Sequence, residues 1–261
     1  MNNIKYLYHY TKLSTGLEYI LSDMKLKMSS MKELSDPYEN QKLYPRLYKS
    51  SNLKSKDYNI EGEFLFDTSY KINKKIREKS KILCFTLNDI SKDKNIYNEG
   101  FFKPRMWDQY GEKHKGFCFE FDKNKLIDSF KNEKIKYYDI VNYSNKMNIN
   151  DCMDFDIDDE FIKDINNDLL SFIENNNELL FFTKLLDWKD ENEFRVICIT
   201  DEGEKYIDIT KSLSSIYLGS NFPKIYTEVV KKIIVEKEMD VKIKKINLEN
   251  FCPNLKNIYP E

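Results

Sequence analysis

The stretch "YLYHYTKLSTGLEYIL", residues 6–21, joins two different sequence patterns. Three tyrosines alternate with a leucine and with His9, which is the period-two spacing of a strand. Leucine and isoleucine then recur at helical spacing, so a helix follows the strand directly. Backbone N–H groups at such a junction are free to bind an anion, which makes His9 a candidate ligand contact. A single histidine on an apolar strand is also commonly structural, and both interpretations stay open from this stretch alone.

Strand and helix patterns then follow each other without the regular rhythm of βαβ units. Strands are predicted at residues 82–87, 116–121, 135–144, 193–200, 205–209, 215–220, 233–237 and 241–248. Helices are predicted at residues 71–79, 123–130, 159–186 (with a break at 175–177) and 223–233. This mixture favours an α+β fold with a mostly antiparallel central sheet and flanking and inserted helices. We predict one domain over residues 1–261, with a helical insertion around 147–186.

Composition narrows the class of protein. The 42 basic and 44 acidic residues give a net charge of -2, so no general attraction to nucleic acid or to an anionic membrane is expected. Five scattered cysteines without a C-x-x-C pair indicate a reduced protein with no zinc site. The polar first ten residues, and the lack of any apolar run near the roughly 20 residues that span a bilayer, predict a cytoplasmic protein without a membrane segment.

Several well-known chemical motifs are missing. The seven glycines form neither G-x-G-x-x-G nor a phosphate loop, which argues against a Rossmann dinucleotide site and a P-loop ATPase. With two histidines and no H-E-x-x-H, a zincin site is excluded. The acidic run at residues 151–160 lacks the glycine and terminal glutamate of a calcium loop, so we interpret it as a solvated connector. No resident metal is expected.

The rare residue types fall in four short polar–aromatic motifs: residues 8–11, 29–30 with 35–39, 106–110 with 114–117, and 188–195. Each motif has an ordinary structural interpretation beside a functional one. The aromatic residues can stack on a planar ligand, although buried aromatics are more often core. An Asp before Pro predicts first of all a turn. The candidate site residues are His9, Tyr10, Thr11, Ser29, Asp36, Glu39, Trp107, Tyr110, His114, Trp188, Glu191, Glu193 and Arg195.

The Glu-x-Glu pair in the last motif needs a partner if it is buried. On a strand, Glu191 and Glu193 would point to the same face about 7 Å apart, from the rise per residue. Arg195 would lie on that face and could pair with them. A surface salt-bridge ladder is the alternative. Because both tryptophans and both histidines also fall in these motifs, we favour a shared site.

Taken in order, "LYHYT", "SDPYE", "CFT", "MWDQYGEKHKGFCFEFD" and "WKDENEFR" resemble the bacterial family known as domain of unknown function 2971. The resemblance runs from residue 7 to residue 195 and continues weakly to residue 219. Ser35 stands where the family commonly has Asn, and Thr86 where it commonly has Ser. Both changes keep a side-chain oxygen. The family's name implies no function.

More remotely, "YHYT" followed by a helix and "LKMSS" is similar to the opening of ADP-ribosyltransferases. That resemblance implies an ADP-ribosyltransferase-like fold that binds NAD as its substrate. It implies NAD contacts from His9, Tyr10, Thr11, Ser29, Thr86, Trp107, Tyr110 and Arg195. It also implies that Glu193 binds the ribose 2′-hydroxyl and that Glu191 activates the acceptor.

The sequence therefore leads to one main functional hypothesis and two alternatives. The main one is an ADP-ribosyltransferase-like enzyme or NAD-binding domain in bacterial anti-phage defence or toxin activity, with a protein or nucleic acid as acceptor. The first alternative is a non-catalytic nucleotide-sensing or protein-interaction module. The second is a metal-dependent nucleotide or nucleic-acid enzyme that uses Asp36, Glu39, Glu191 and Glu193. We predict that His9 faces Glu193 across a cleft.

Overall fold

A computed structural model describes residues 4–34, 36–40, 46–49, 62–89, 95–133, 136–145, 154–157, 165–250 and 252–260. The strands are β1 Tyr6–Thr11, β2 Lys25–Ser30, β3 Arg46–Lys49, β4 Ser80–Thr86, β5 Phe117–Asp122, β6 Lys136–Ile140, β7 Asn142–Tyr143, β8 Asp154–Ile157, β9 Thr183–Lys184, β10 Glu193–Ile199, β11 Lys205–Asp208, β12 Leu213–Leu218, β13 Lys242–Glu249 and β14 Cys252–Tyr259. The α-helices are α1 Leu13–Thr15, α2 Gly62–Lys79, α3 Pro104–Gln109, α4 Lys123–Asp128, α5 Ile165–Phe181 and α6 Lys224–Glu236. A π-helical segment, Gly16–Leu21, continues α1, and short 3-10 helices occur at Met31–Glu33, Ile96–Asn98 and Leu186–Glu191.

The main sheet confirms an α+β fold with a mostly antiparallel core. Its strand order is β11-β2-β4-β1-β5-β12-β13-β14, and β10 pairs with β4 and β6. Within this sheet β12 and β13 run parallel, whereas the pairs β1–β5, β4–β10 and β13–β14 are antiparallel. Two small parallel pairs, β3–β8 and β7–β9, stand apart from the main sheet.

The main sheet is split along one edge of β4. The whole of β4 pairs with β10 on one side. On the other side β1 pairs only near the end of β4, where Tyr8 lies opposite Thr86, and β2 pairs only near its start, where Ser29 lies opposite Ile82. In the described residues, β4 positions 83–85 therefore have no strand partner on this edge. Such a gap exposes backbone groups that a side chain or a ligand must satisfy.

Each face of the sheet carries its own packing, because residues opposite each other in a pair point to the same face. The pairs Tyr8–Thr86 and Glu193–Thr86 put these three residues on one face. The largest core cluster covers the other face and includes Phe85, Phe119 and Phe194. On the first face, two smaller clusters lie apart: one around α2 and α5, the other around Tyr8, Tyr10 and Trp107.

Several boundaries differ from the sequence-based prediction. Residues 233–237, predicted as a strand, are mostly the last turn of α6 because Ile234 continues its buried stripe. Helix α5 passes through residues 175–177 without a break, since Ile173, Leu180 and Phe181 all pack into the same core. Part of the expected acidic connector forms β8, while residues 151–153 and 158–160 lie outside the described residues. Strands β3, β9 and β14 were not predicted, and β9 lies where the helix predicted at residues 159–186 was expected to continue.

Among the described ranges, no helix combines the length and the apolar character that crossing a bilayer requires.

Candidate functional site

The split in the sheet opens into a cavity of about 230 Å³ between the two smaller clusters. Strands β1, β2, β4 and β10, the turn at residues 36–40, α3 and the Leu186–Glu191 helix all contribute to its wall. The lining residues are Tyr8, His9, Tyr10, Ser29, Glu33, Leu34, Asp36, Glu39, Cys84, Phe85, Thr86, Met106, Tyr110, Lys184, Trp188, Glu191, Glu193 and Arg195. The four sequence motifs thus meet at one place.

Lys184 is the centre of the charged part of the cavity. Its Nζ lies 2.7 Å from Glu191 Oε2 and 3.4 Å from one carboxylate oxygen each of Glu193 and Glu39. Burial by itself would lower the pKa of Lys184, but these surrounding carboxylates raise it above its ordinary value. The ammonium therefore occupies the position on which three carboxylates converge. In the described part of the chain, no group of three or more His, Cys, Asp or Glu side chains has the geometry to hold a metal ion.

Arg195 is the second buried cation, and it pairs with Glu193 as the sequence predicted. Its Nε and Nη2 donate to the two oxygens of Glu193 at 3.0 and 2.8 Å. Nη2 also lies 2.5 Å from Glu39, and Nη1 donates to the carbonyl of Phe181 at 2.8 Å. Burial would raise the pKa of Glu193, but the charges of Arg195 and Lys184 outweigh it and lower the pKa to about 2. Glu193 is therefore a buried but ionised carboxylate.

Glu191 and Glu193 do not share a strand, which corrects the Glu-x-Glu interpretation. Glu191 ends a 3-10 helix, Asn192 adopts a left-handed conformation with φ 46°, and β10 begins at Glu193. The two carboxylates still meet at the ammonium of Lys184. Tyr110 donates its hydroxyl hydrogen to Glu191 Oε1 at 3.0 Å, which links α3 to this cluster.

His9 lines the cavity but comes from the opposite face of the sheet to Glu193, so the two do not face each other from one side of the sheet as the cleft prediction required. Its register partner is Phe119, and its ring lies edge-on to Phe85 at 5.9 Å. Nδ1 lies 3.0 Å from the carbonyl oxygen of Cys84, in the gap of β4. A carbonyl can only accept, so Nδ1 carries the proton and Nε2 is the acceptor of the neutral ring. Burial lowers the pKa of His9, which favours this neutral form.

The anion site that the strand–helix junction suggests is filled by the chain itself. The backbone N–H of Leu13, the first residue of α1, donates to Glu112 Oε2 at 3.0 Å. Glu112 opens a run of three residues with left-handed backbone, at φ 51°, 52° and 65°. A protein carboxylate thus takes the place at the helix start that an external anion would use.

The turn that follows β2 is built as the Asp-Pro dipeptide predicted. Asp36 Oδ1 accepts a hydrogen bond from the backbone N–H of Tyr38 at 2.9 Å, and the Asp36 carbonyl accepts one from Asn40 N–H at 2.8 Å. This turn carries both Asp36 and Glu39 to the cavity wall. Ser35 lies outside the described residues.

Three of the predicted site residues are not among those that line the cavity. Trp107 is fully buried in the cluster on its own side, and its indole N–H donates to the Phe101 carbonyl at 2.9 Å. His114 stacks on Trp107 at 5.2 Å between ring centroids. Thr11 is buried at the end of β1. Trp107 and His114 were predicted as site residues because their residue types are rare in this chain. In the structure the two rings stack on each other in the segment before β5.

Sequence reasoning missed the most connected residue of the site, Lys184. It lies on a two-residue strand that pairs with β7, outside every motif. Lysine is common along this chain, so a single lysine carried no signal. The residues before Lys184 do carry a signal, because an apolar run that includes Phe181 and Phe182 predicts a buried segment. A lysine at the end of a buried segment requires an acidic partner.

Comparison with known proteins supports the resemblance to the family of unknown function over one segment, and it does not support the resemblance to ADP-ribosyltransferases. Residues 106–196 match the family model described as protein of unknown function (DUF2971). This segment contains most of α3, all of β5 and the start of β10, and with them Tyr110, Lys184, Glu191 and Glu193. Neither the curated proteins nor the solved structures contain a match to this chain.

Proposed function

We propose that this chain is an ADP-ribosyltransferase-like enzyme whose cavity takes the nicotinamide–ribose end of NAD. The observation that carries the proposal is the charge of the cavity. Five carboxyl groups line it against two cations, an excess of at most three negative charges, because burial raises the pKa of Glu39 while Glu193 is ionised. The nicotinamide ring of NAD is a planar cation. An acidic cavity with aromatic walls therefore attracts that end of the dinucleotide and repels its phosphates.

The size of the cavity agrees with partial entry of the substrate. Sites for whole drug-sized ligands usually enclose roughly 300–1,000 Å³, and this cavity has about 230 Å³. The phosphates would remain outside. A neighbouring groove contains three basic residues, Lys103, Arg105 and Lys189, together with Asp89 and Asp190. Trp188 lies between the groove and the cavity. Its ring centroid is 5.0 Å from Arg105 Cζ, which belongs to the groove, and 5.0 Å from Lys184 Nζ, which belongs to the cavity. The three basic groups outnumber the two aspartates by one formal charge, so the groove attracts a diphosphate more than the acidic cavity does.

The proposed reaction breaks the bond between the ribose C1′ and the ring nitrogen. Both electrons of that bond leave with nicotinamide, and C1′ becomes an oxocarbenium ion that the negative cavity stabilises. Glu193 holds the ribose 2′-hydroxyl. The acceptor X–H then attacks C1′, Glu191 removes its proton, and the products are nicotinamide, X–ADP-ribose and H⁺. The acceptor class, protein or nucleic acid, and a role in anti-phage defence rest on the resemblance alone.

A second candidate is a nucleotide-binding module without catalysis. One observation favours it: both oxygens of Glu193 already accept hydrogen bonds from Arg195, and both oxygens of Glu191 are engaged by Tyr110 and Lys184. A carboxylate so fully held has less capacity for a new substrate bond. Binding of NAD without release of nicotinamide would support this candidate.

The test is nicotinamide release from NAD by the wild type, by Glu193→Gln and by the control Glu120→Gln. Glu120 is also a buried strand glutamate, held by Ser214 and Tyr217, and it is not among the residues lining the cavity. We expect Glu193→Gln to lower the rate about 100-fold or more, the usual loss for one transition-state contact, and Glu120→Gln to keep it. A folded wild type that neither binds nor cleaves NAD would contradict the proposal.

A further inference from the structure

One carboxylate oxygen in the cavity wall has no hydrogen-bond donor. Asp36 is 6% exposed, and its Oδ1 is satisfied by the backbone N–H of Tyr38. Its Oδ2 is buried and has no partner in the structure as described. A buried acceptor left without a donor costs about 1–3 kcal/mol, more when it is charged. A native protein that keeps such an atom in a cavity wall calls for an explanation.

The two cations of the cavity are committed to other groups. The three ion pairs of Lys184 go to Glu39, Glu191 and Glu193. Those of Arg195 go to Glu39 and Glu193, and its remaining nitrogen donates to a backbone carbonyl. Within the described residues neither cation is paired with Asp36, so Oδ2 is left to accept from a group that enters the cavity.

We propose that Asp36 Oδ2 is a ligand-binding acceptor that takes an N–H hydrogen bond from a planar cationic group held in this cavity. The excess of carboxylates favours a cationic ligand, and the unpaired oxygen favours a ligand that carries a hydrogen-bond donor. This inference deepens the proposed function, because the pyridinium ring of NAD is cationic and carries a carboxamide N–H₂. It also holds for any other amide-bearing aromatic cation.

Asp36 then acts as a specificity residue. A ligand with a carboxylate in place of the carboxamide would bring a second negative oxygen against Oδ2, with no proton between them. A site built around a buried hydrogen-bonding group rejects an analogue that cannot make the bond. The cavity is thus expected to distinguish the amide from the acid of the same ring.

The test uses two probes that differ only in this group, 1-methylnicotinamide and 1-methylnicotinate, and NAD itself. Affinities are measured by calorimetry for the wild type, Asp36→Asn and the control Asp208→Asn. Asp208 makes the same turn, with Oδ1 accepting from Thr210 N–H at 2.9 Å, but it is exposed and is not one of the cavity residues. The asparagine variant keeps the turn acceptor and presents an amide N–H₂ to the cavity in place of Oδ2.

We expect the wild type and Asp208→Asn to bind 1-methylnicotinamide at least about tenfold more tightly than 1-methylnicotinate. Asp36→Asn should lose about tenfold or more of its affinity for the amide and most of the discrimination, as expected for a hydrogen bond to a charged group.

If the amide binds in this Asp36-dependent way but NAD is not cleaved, only the proposed function fails. If NAD and the amide bind equally well to the wild type and Asp36→Asn, the role of Asp36 is wrong while the proposed function survives. A folded wild type that does not bind 1-methylnicotinamide also overturns the role proposed for Asp36.

Discussion

Glu193 and Glu120 are buried glutamates on the same face of the main sheet, yet the protein holds them in different ways. Glu120 lies in β5 opposite Tyr8, and two hydroxyls hold it: Ser214 at 3.1 Å and Tyr217 at 3.0 Å. Glu193 is held by the cations Arg195 and Lys184 and lies in the wall of a cavity.

The comparison separates a structural carboxylate from a candidate functional one. Around Glu120 the neighbouring rings are packed, as Phe101 and Tyr217 stack at 4.1 Å. Around Glu193 the carboxylates outnumber the cations and one acceptor oxygen has no donor. Excess charge beside open space indicates a place for a ligand, whereas matched polar groups in a packed region indicate a stabilising contact.

The largest expected effect is on stability, from Lys184→Met. Removal of the ammonium leaves Glu39, Glu191 and Glu193 close together with only Arg195 to balance them. Breaking a buried ion pair from one side usually costs about 3–5 kcal/mol. Urea unfolding should show a loss of this size, and the double variant Lys184→Met, Glu191→Gln should recover part of it. A loss below about 1 kcal/mol would show that the cluster is not the tightly coupled unit described above.

The next effect is the acid dependence of unfolding. The pKa of Glu193 is about 2 in the folded protein against an ordinary value of 4.5. A lowered pKa contributes stability that is fully present above about pH 4.5 and is lost as pH falls toward 2, because the unfolded chain takes up the proton first. The shift corresponds to about 3 kcal/mol. The free energy of unfolding, measured from pH 6 to pH 2, should fall by this contribution. In Glu193→Gln the free energy of unfolding should depend less steeply on pH over the same range. An equal slope in both proteins would contradict the ion-pair assignment.

The smallest effect is expected for Tyr217→Phe in the other region. This change removes one hydroxyl donor from Glu120 and keeps the stacked ring, so the free energy of unfolding should fall by about 1.5 kcal/mol. The affinity for 1-methylnicotinamide should stay at the wild-type value, since Tyr217 does not line the cavity. A marked loss of that affinity would mean that the two regions are coupled.

Local patterns were sufficient for most strands and for the membership of the site. The alternation in residues 6–11 and the apolar run that became β10 predicted strands correctly. The pairing of Glu193 with Arg195 follows from their spacing on one strand. Eleven of the fourteen predicted site residues line the cavity, because residues of rare type were grouped in motifs. Their roles remain predictions.

The rest depended on contacts between distant segments. The split of β4 arises because β1 and β2 pair with different ends of one strand, and strand pairing of this kind leaves no trace in local periodicity. The same split explains why His9 and Glu193 reach one cavity from opposite faces.

By itself, the sequence determined an α+β chain with balanced charge, a turn at Asp36 and an arginine beside Glu193, because these follow from composition and from spacing along a few residues. Only the tertiary structure decided that Lys184 stands among three carboxylates, that Glu112 fills the helix start, and that Asp36 has a free oxygen. The physical reason is that a buried charge is defined by partners that lie far away in sequence, and only the folded chain brings these partners together.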